Sequence, residues 1–133
     1  FRNQIRKVGM SYVLASKAIQ EGWSLVIFPE GTMPMSDIPK PIAFKNGAFK
    51  IAKQANIPIV PLTFINNYKL FSDPTMFYGP ARPGISKFHI HPYISKEEVE
   101  RLSFSELKKK SFDLIESPIR KQYPHLYSND VND

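Results

Sequence analysis

Two short stretches of this sequence have the residue types for chemistry. The first, Glu30-Gly31-Thr32, sets a carboxylate, a glycine and a hydroxyl directly after the apolar run Leu25-Val-Ile-Phe28 and Pro29. The second, Lys45-Asn46-Gly47, sets an ammonium beside a residue able to cap a helix. Free backbone N–H groups and the positive end of the dipole make a helix N-terminus favourable to anions. Lys45 with the amides of Asn46 to Ala48 is therefore a candidate phosphate grip, and Glu30 and Gly31 are its adjoining wall. Arg82, between Ala81 and Pro83, is a second candidate anion ligand. Two of these have a plainer alternative: a strand running into a polar turn for the first stretch, and a solvated cation for Arg82.

The elements that must position these residues can be read from hydrophobic periodicity. Leu25 to Phe28 is a continuous apolar run that suits a strand buried on both faces of a parallel sheet, and Pro29 ends it. Glu30 then lies just past the strand's carboxyl end, where open α/β sheets place their ligands. Upstream, Ile5, Val8, Tyr12, Ala15 and Ile19 recur at helical spacing and predict an amphipathic helix over Asn3 to Glu21, closed by Gly22. Downstream, Asn46 is expected to cap a helix carrying Phe49, Ala52 and Ala55 and ending near Asn56. Ile59 to Ile65 reads as the next buried strand, which makes strand, helix and strand a right-handed parallel unit. Lys87 to Ile94 alternates, with Phe88 and Ile90 on one face and His89 and His91 on the other. Ser103 or Ser105 starts a last helix through Phe104, Leu107, Ser111, Leu114 and Ile115, with Lys108 to Lys110 outward, and Pro118 ends it or opens a new turn after Ser117. Long loops are expected over Thr32 to Phe44 and Asn66 to Gly84. The pattern predicts one domain over 1–133, with a frayed tail at 124–133. Its class is α/β, a mostly parallel sheet flanked by helices.

Composition narrows the partners. A formal charge of +6 and a pI near 9.6 suit an anionic lipid surface, a phosphorylated small molecule, an acidic carrier protein or nucleic acid. Aromatic and basic residues come without a helix-turn-helix, RNP or zinc-finger pattern, so no nucleic-acid partner is assigned. The absence of cysteine excludes disulfides, thiolate zinc sites and thiol nucleophiles. The His89 and His91 pair has no acidic or cysteine partner at ligand spacing, so no metal is assigned. No run reaches the ~20 apolar residues of a membrane span. Opening on Phe1-Arg2-Asn3, the sequence reads as a piece of a longer polypeptide.

Phe28-Pro29-Glu30-Gly31-Thr32 resembles the third sequence block of the glycerolipid acyltransferases, the superfamily of the 1-acyl-glycerol-3-phosphate acyltransferases. Phe44-Lys45-Asn46-Gly47-Ala48 and Ile57-Pro58-Ile59-Val60-Pro61-Leu62 follow in the family's order, the latter resembling its fourth block. The resemblance implies a partial glycerolphosphate acyltransferase-like fold. It also implies transfer of a fatty acyl group from acyl-CoA or acyl-carrier protein to the hydroxyl of a lysophospholipid, 1-acyl-glycerol-3-phosphate, in phospholipid biosynthesis. Further expectations are no cofactor beyond that co-substrate and a peripheral position on the cytoplasmic side of a membrane. Glu30, Gly31, Thr32, Lys45, Asn46 and Gly47 become the acceptor-binding residues.

In this family the base and its orienting carboxylate belong to a His-x-x-x-x-Asp block ahead of the Phe-Pro-Glu-Gly block. No histidine precedes Phe28 here, so no catalytic residue is assigned and the chain by itself is expected to be inactive. His125-Leu-Tyr-Ser-Asn-Asp130 has the spacing at the wrong end of the chain and is rejected as the base. Met33 stands where many members carry an arginine associated with the acceptor's phosphate, which leaves the acceptor lipid open. Two other readings are a non-catalytic lipid-binding or scaffold domain and a basic nucleic-acid-binding module.

Overall fold

Helix α1, Arg2–Gln20, ends as its sequence predicts. Gly22 takes φ 88°, its N–H reaches the Ile19 carbonyl at 3.0 Å and that of Trp23 reaches Ala18 at 2.9 Å. This crossed pair satisfies carbonyls that a helix terminus would otherwise leave open. The computed structural model describes residues 2–32, 38–70 and 82–131.

Helix α2, Gly47–Ala55, is closed the same way by Asn56 in the left-handed region at φ 48°. Strand β1, Leu62–Phe64, is followed by a single turn of helix, α3, Asn67–Leu70. Strand β2, Phe88–Ile90, precedes α4, Lys96–Arg101, and α5, Phe104–Gln122. A 3-10 helix, Pro124–Val131, lies where the sequence predicts a frayed tail. Its Tyr127 is buried with Ile119 and Tyr123 in a small cluster next to Ile65 and Tyr68. The larger core joins Phe44, Phe49, Ala52, Ile94, Val99 and Leu107, with Phe112 edge-on to Phe44 at 5.0 Å.

The sheet differs from the parallel one expected. β1 and β2 pair antiparallel, with Leu62 opposite Ile90, Thr63 opposite His89 and Phe64 opposite Phe88, and Ile59 bridges Ile94 beyond them. Pro61 has no N–H and only lends its carbonyl to the His91 amide at 3.0 Å, which confines the ladder to a shorter span than Ile59 to Ile65. Leu25 to Phe28 belongs to no helix or strand and pairs with none among the described residues, so the expected strand-helix-strand unit is not formed there. An apolar run shows in a sequence; the neighbours that turn it into a sheet interior do not.

Two helix boundaries also differ. Asn46 makes no capping bond with its side chain. Pro118 does not end α5: the carbonyl of Leu114 that it deprives of a donor accepts the Ser117 hydroxyl at 3.0 Å. The start of α5 follows the sequence, with Ser103 and Glu106 forming a capping box.

The hairpin faces are inverted in polarity. Phe88 and Ile90 point to solvent, while Thr63 and His91 are buried against α5. The Thr63 hydroxyl donates its one proton to the Ile115 carbonyl at 2.8 Å, so at 2.8 Å from His91 Nε2 it must accept, and His91 carries its proton on Nε2. Burial, and then the neighbouring His89, lower the His91 pKa. Its contribution to stability is complete above the ordinary value of 6.5 and is lost as pH falls through the depressed folded value. Thr63→Val, which leaves the buried His91 Nε2–H without its acceptor, should destabilise the chain by about 1–3 kcal/mol in urea unfolding. His91→Gln, which keeps a donor but does not titrate, should flatten the loss of stability on the acid side of 6.5 in melting temperatures measured against pH.

Candidate functional site

Phe44 fixes the site because its ring is in the core while the next residue, Lys45, is at the surface. The Lys45 N–H donates to the Pro29 carbonyl at 2.7 Å, tying the segment before α2 to the turn after Phe28. That turn is closed by the Gly31 N–H on the Phe28 carbonyl at 3.1 Å, with Gly31 at φ 65°. A Cβ at Gly31 would stand 3.0 Å from Lys45 Nζ. The Gly31 backbone conformation favours glycine, and the exposed Lys45 side chain lies across it.

Glu30 is half-buried on the same turn, and its Oε2 accepts the Ile42 N–H at 3.1 Å. Burial raises its pKa, and the Ile42 hydrogen bond lowers it by less. Thr32 is exposed beside it. Asn46 is exposed too, and its Oδ1 accepts the Lys108 ammonium at 3.4 Å. The Gly47 carbonyl accepts the Tyr12 hydroxyl at 2.8 Å, which hangs α1 on the start of α2.

Glu30, Gly31, Lys45, Asn46 and Gly47 are thus brought together. Arg82 is exposed and held by its N–H on the Leu70 carbonyl at 3.1 Å, and no contact among the described residues joins it to Lys45 or Glu30. Met33 lies outside the described residues. His125 sits in the 3-10 helix with its ring edge-on to Tyr123, 6.2 Å between centroids, and the side chain of Asp130 is not described.

Sequence reasoning missed Lys108 and Tyr12 as parts of this site. Lys108 reads as one of three outward lysines, and only the docking of α5 against α2 sets it beside Asn46. Tyr12 was legible as a helix-face residue, but its polar tip on Gly47 was not. Lys45 precedes and Lys108 approaches Asn46, so two basic residues belong to the dipole-positive end of α2. That end of the helix can attract an anionic group.

The acyltransferase family matches residues 2–65. A 1-acyl-sn-glycerol-3-phosphate acyltransferase of Borreliella burgdorferi is 32% identical over 115 residues, covering 86% of this chain and 42% of its own length. One of the same name from Saccharomyces cerevisiae is 32% identical over 83% of this chain and 34% of its own. A probable one from Mycoplasma pneumoniae is 39% identical over 50% of this chain and 24% of its own. The chain therefore spans well under half the length of these relatives. No solved structure matches it.

The raised pKa of Glu30 has a direct test. Its contribution to stability is complete below the ordinary value of 4.5 and is lost as pH rises through the folded value, so at neutral pH the ionised carboxylate is a burden. Glu30→Gln, whose amide oxygen still accepts from Ile42, should match the parent chain at pH 4 and exceed its melting temperature at pH 7. Glu30→Ala should lose about 1 kcal/mol at pH 4, because the Ile42 N–H then has no partner, and less at pH 7, where the burden of the ionised carboxylate is removed with it.

Proposed function

We propose, since this chain belongs to the glycerolipid acyltransferase superfamily, that it is the acceptor-binding part of an enzyme acylating the hydroxyl of a lysophospholipid, with 1-acyl-glycerol-3-phosphate as the acceptor. The acyl donor in this reading is acyl-CoA or acyl-carrier protein, and the partner surface is a membrane. The observation that carries it is the backbone bond from Lys45 to Pro29, which sets an ammonium and the start of α2 over the Glu30-Gly31 turn. Acyl transfer to a hydroxyl requires a base, an orienting group and donors for the oxyanion. The residues gathered here serve a different task, gripping the acceptor so that its hydroxyl is presented in one place.

In this reading the phosphate lies between Lys45 and Lys108 at the head of α2, where the dipole and two ammonium groups reinforce one another. Glu30 braces the loop through Ile42, keeping the turn from collapsing onto the bound headgroup. No helix among the described residues is long and apolar enough to cross a membrane. Lys45 and Lys108 supply attraction to an anionic headgroup from solution or from a lipid surface.

The test is calorimetric titration of the chain with a short-chain, soluble 1-acyl-glycerol-3-phosphate. Lys45→Ala should weaken binding about ten- to a hundredfold, the worth of a charge-assisted phosphate contact, with little effect on unfolding. Lys50→Ala, exposed on the same helix, should leave binding unchanged. Equal losses from the two variants, or equal binding of a phosphate-free monoacylglycerol, would remove the phosphate grip from Lys45.

A further inference from the structure

Lys40, Pro41 and Ile42 lead from the proline-rich loop into the candidate site, and both ends of this tripeptide are held. At one end the Glu30 carboxylate accepts the Ile42 N–H at 3.1 Å. At the other the Lys40 ammonium lies 4.8 Å from the centre of the Tyr127 ring, within reach of a cation–π contact. Tyr127 lies in the 3-10 helix, where the sequence predicts a frayed tail, yet it is buried in the smaller core with Ile119 and Tyr123. The same ring takes the Arg120 guanidinium at 4.5 Å, and Arg120 is paired with the buried Glu116 at 2.9 Å. The ring is therefore fixed from α5 and presented to the loop.

We propose that Tyr127 is a positioning residue for the Glu30 turn, its ring seating Lys40 so that Ile42 meets the Glu30 carboxyl. Two observations carry this further than packing. Lys40 stands between Pro39 and Pro41, so its backbone has little freedom, and anchoring its side chain fixes the direction in which the chain leaves for Ile42. Pro41 is buried and Lys40 half-buried, whereas a lysine without a seat keeps its ammonium in water. The C-terminal segment thus acts on the site through Lys40 and Ile42, from the smaller core to the turn that Lys45 overlies. That the turn so held serves an acceptor rests on the function proposed above; the positioning itself is read without any lipid.

The test is native-state hydrogen exchange of the Ile42 amide in this chain. The Leu107 amide of α5, bonded to the Ser103 carbonyl at 2.9 Å, measures global opening. Lys40→Met keeps the length of the side chain and removes the ammonium; it should speed exchange at Ile42 about tenfold and leave Leu107 unchanged. Tyr127→Leu should do the same at Ile42, and Tyr127→Phe, which keeps the ring, should hold the parent rate. Unchanged exchange at Ile42 in Lys40→Met overturns the proposal, as does faster exchange in Tyr127→Phe. An equal rise at Ile42 and Leu107 in Lys40→Met also overturns it, because that marks a general loss of stability. Calorimetry with the soluble 1-acyl-glycerol-3-phosphate then ties the seat to the acceptor. Where the parent chain binds this lipid, Tyr127→Leu should weaken binding about three- to tenfold and Tyr127→Phe should not. Faster exchange with unchanged affinity would sever Tyr127 from the acceptor site. A parent chain that binds none removes the acceptor reading and leaves exchange at Ile42 to decide the positioning.

Discussion

The candidate site depends on one backbone hydrogen bond, from the Lys45 N–H to the Pro29 carbonyl at 2.7 Å. It joins two stretches that the sequence separates by a proline-rich loop, and it does so next to Phe44, whose ring is locked between Phe49 and Phe112. A core side chain thereby sets the height of the ammonium above the Gly31 turn. The proline that stops the apolar run supplies the acceptor, since its missing N–H leaves the carbonyl intact. Glu30 repeats the device from the other side, its carboxyl holding the Ile42 amide of the incoming segment.

Everything behind this junction leans on α5. The helix packs on α2 and on β1, carries Leu107 into the larger core and Ile119 into the smaller, and offers its Ile115 carbonyl to Thr63. Lys53 adds a tie from α2 to the Glu100 carbonyl at the end of α4, and Tyr123 reaches the Ile65 carbonyl at 3.4 Å. α1 is attached by its packing on α2 and by the Tyr12 hydroxyl on the Gly47 carbonyl.

What the sequence disclosed follows the range of the forces involved. Gly22 and the Ser103 to Glu106 spacing mark helix ends through bonds made within a few residues, and both are found in the structure. The three family blocks were legible because residue identity alone carries them. Pro118 misled because its local effect, a lost donor, is repaired by Ser117, and the burial of Ile119 and Tyr123 holds the helix on beyond it. Asn46 misled because a lysine 62 residues away approaches the oxygen that would have capped the helix. His89 and His91 read as a polar outer face, yet His91 turns inward because a buried hydroxyl satisfies it and α5 stands behind. For Asn46 and His91 a distant partner overrode a near one.

The link between Thr63 and Ile115 spans 52 residues, that between Ile65 and Tyr123 spans 58, and the β1 to β2 register joins Leu62 to Ile90. Such ties must overcome the entropy of closing long loops before they yield any stability, so this chain should fold more slowly than a helical protein of its size. The same entropy rises only with the logarithm of loop length, about 0.6 kcal/mol for each doubling. The stretch from Asn66 to Gly84, which joins the two hairpin strands, can therefore change length among related sequences at small cost in stability, leaving the hairpin and α5 in place to carry a differently sized loop.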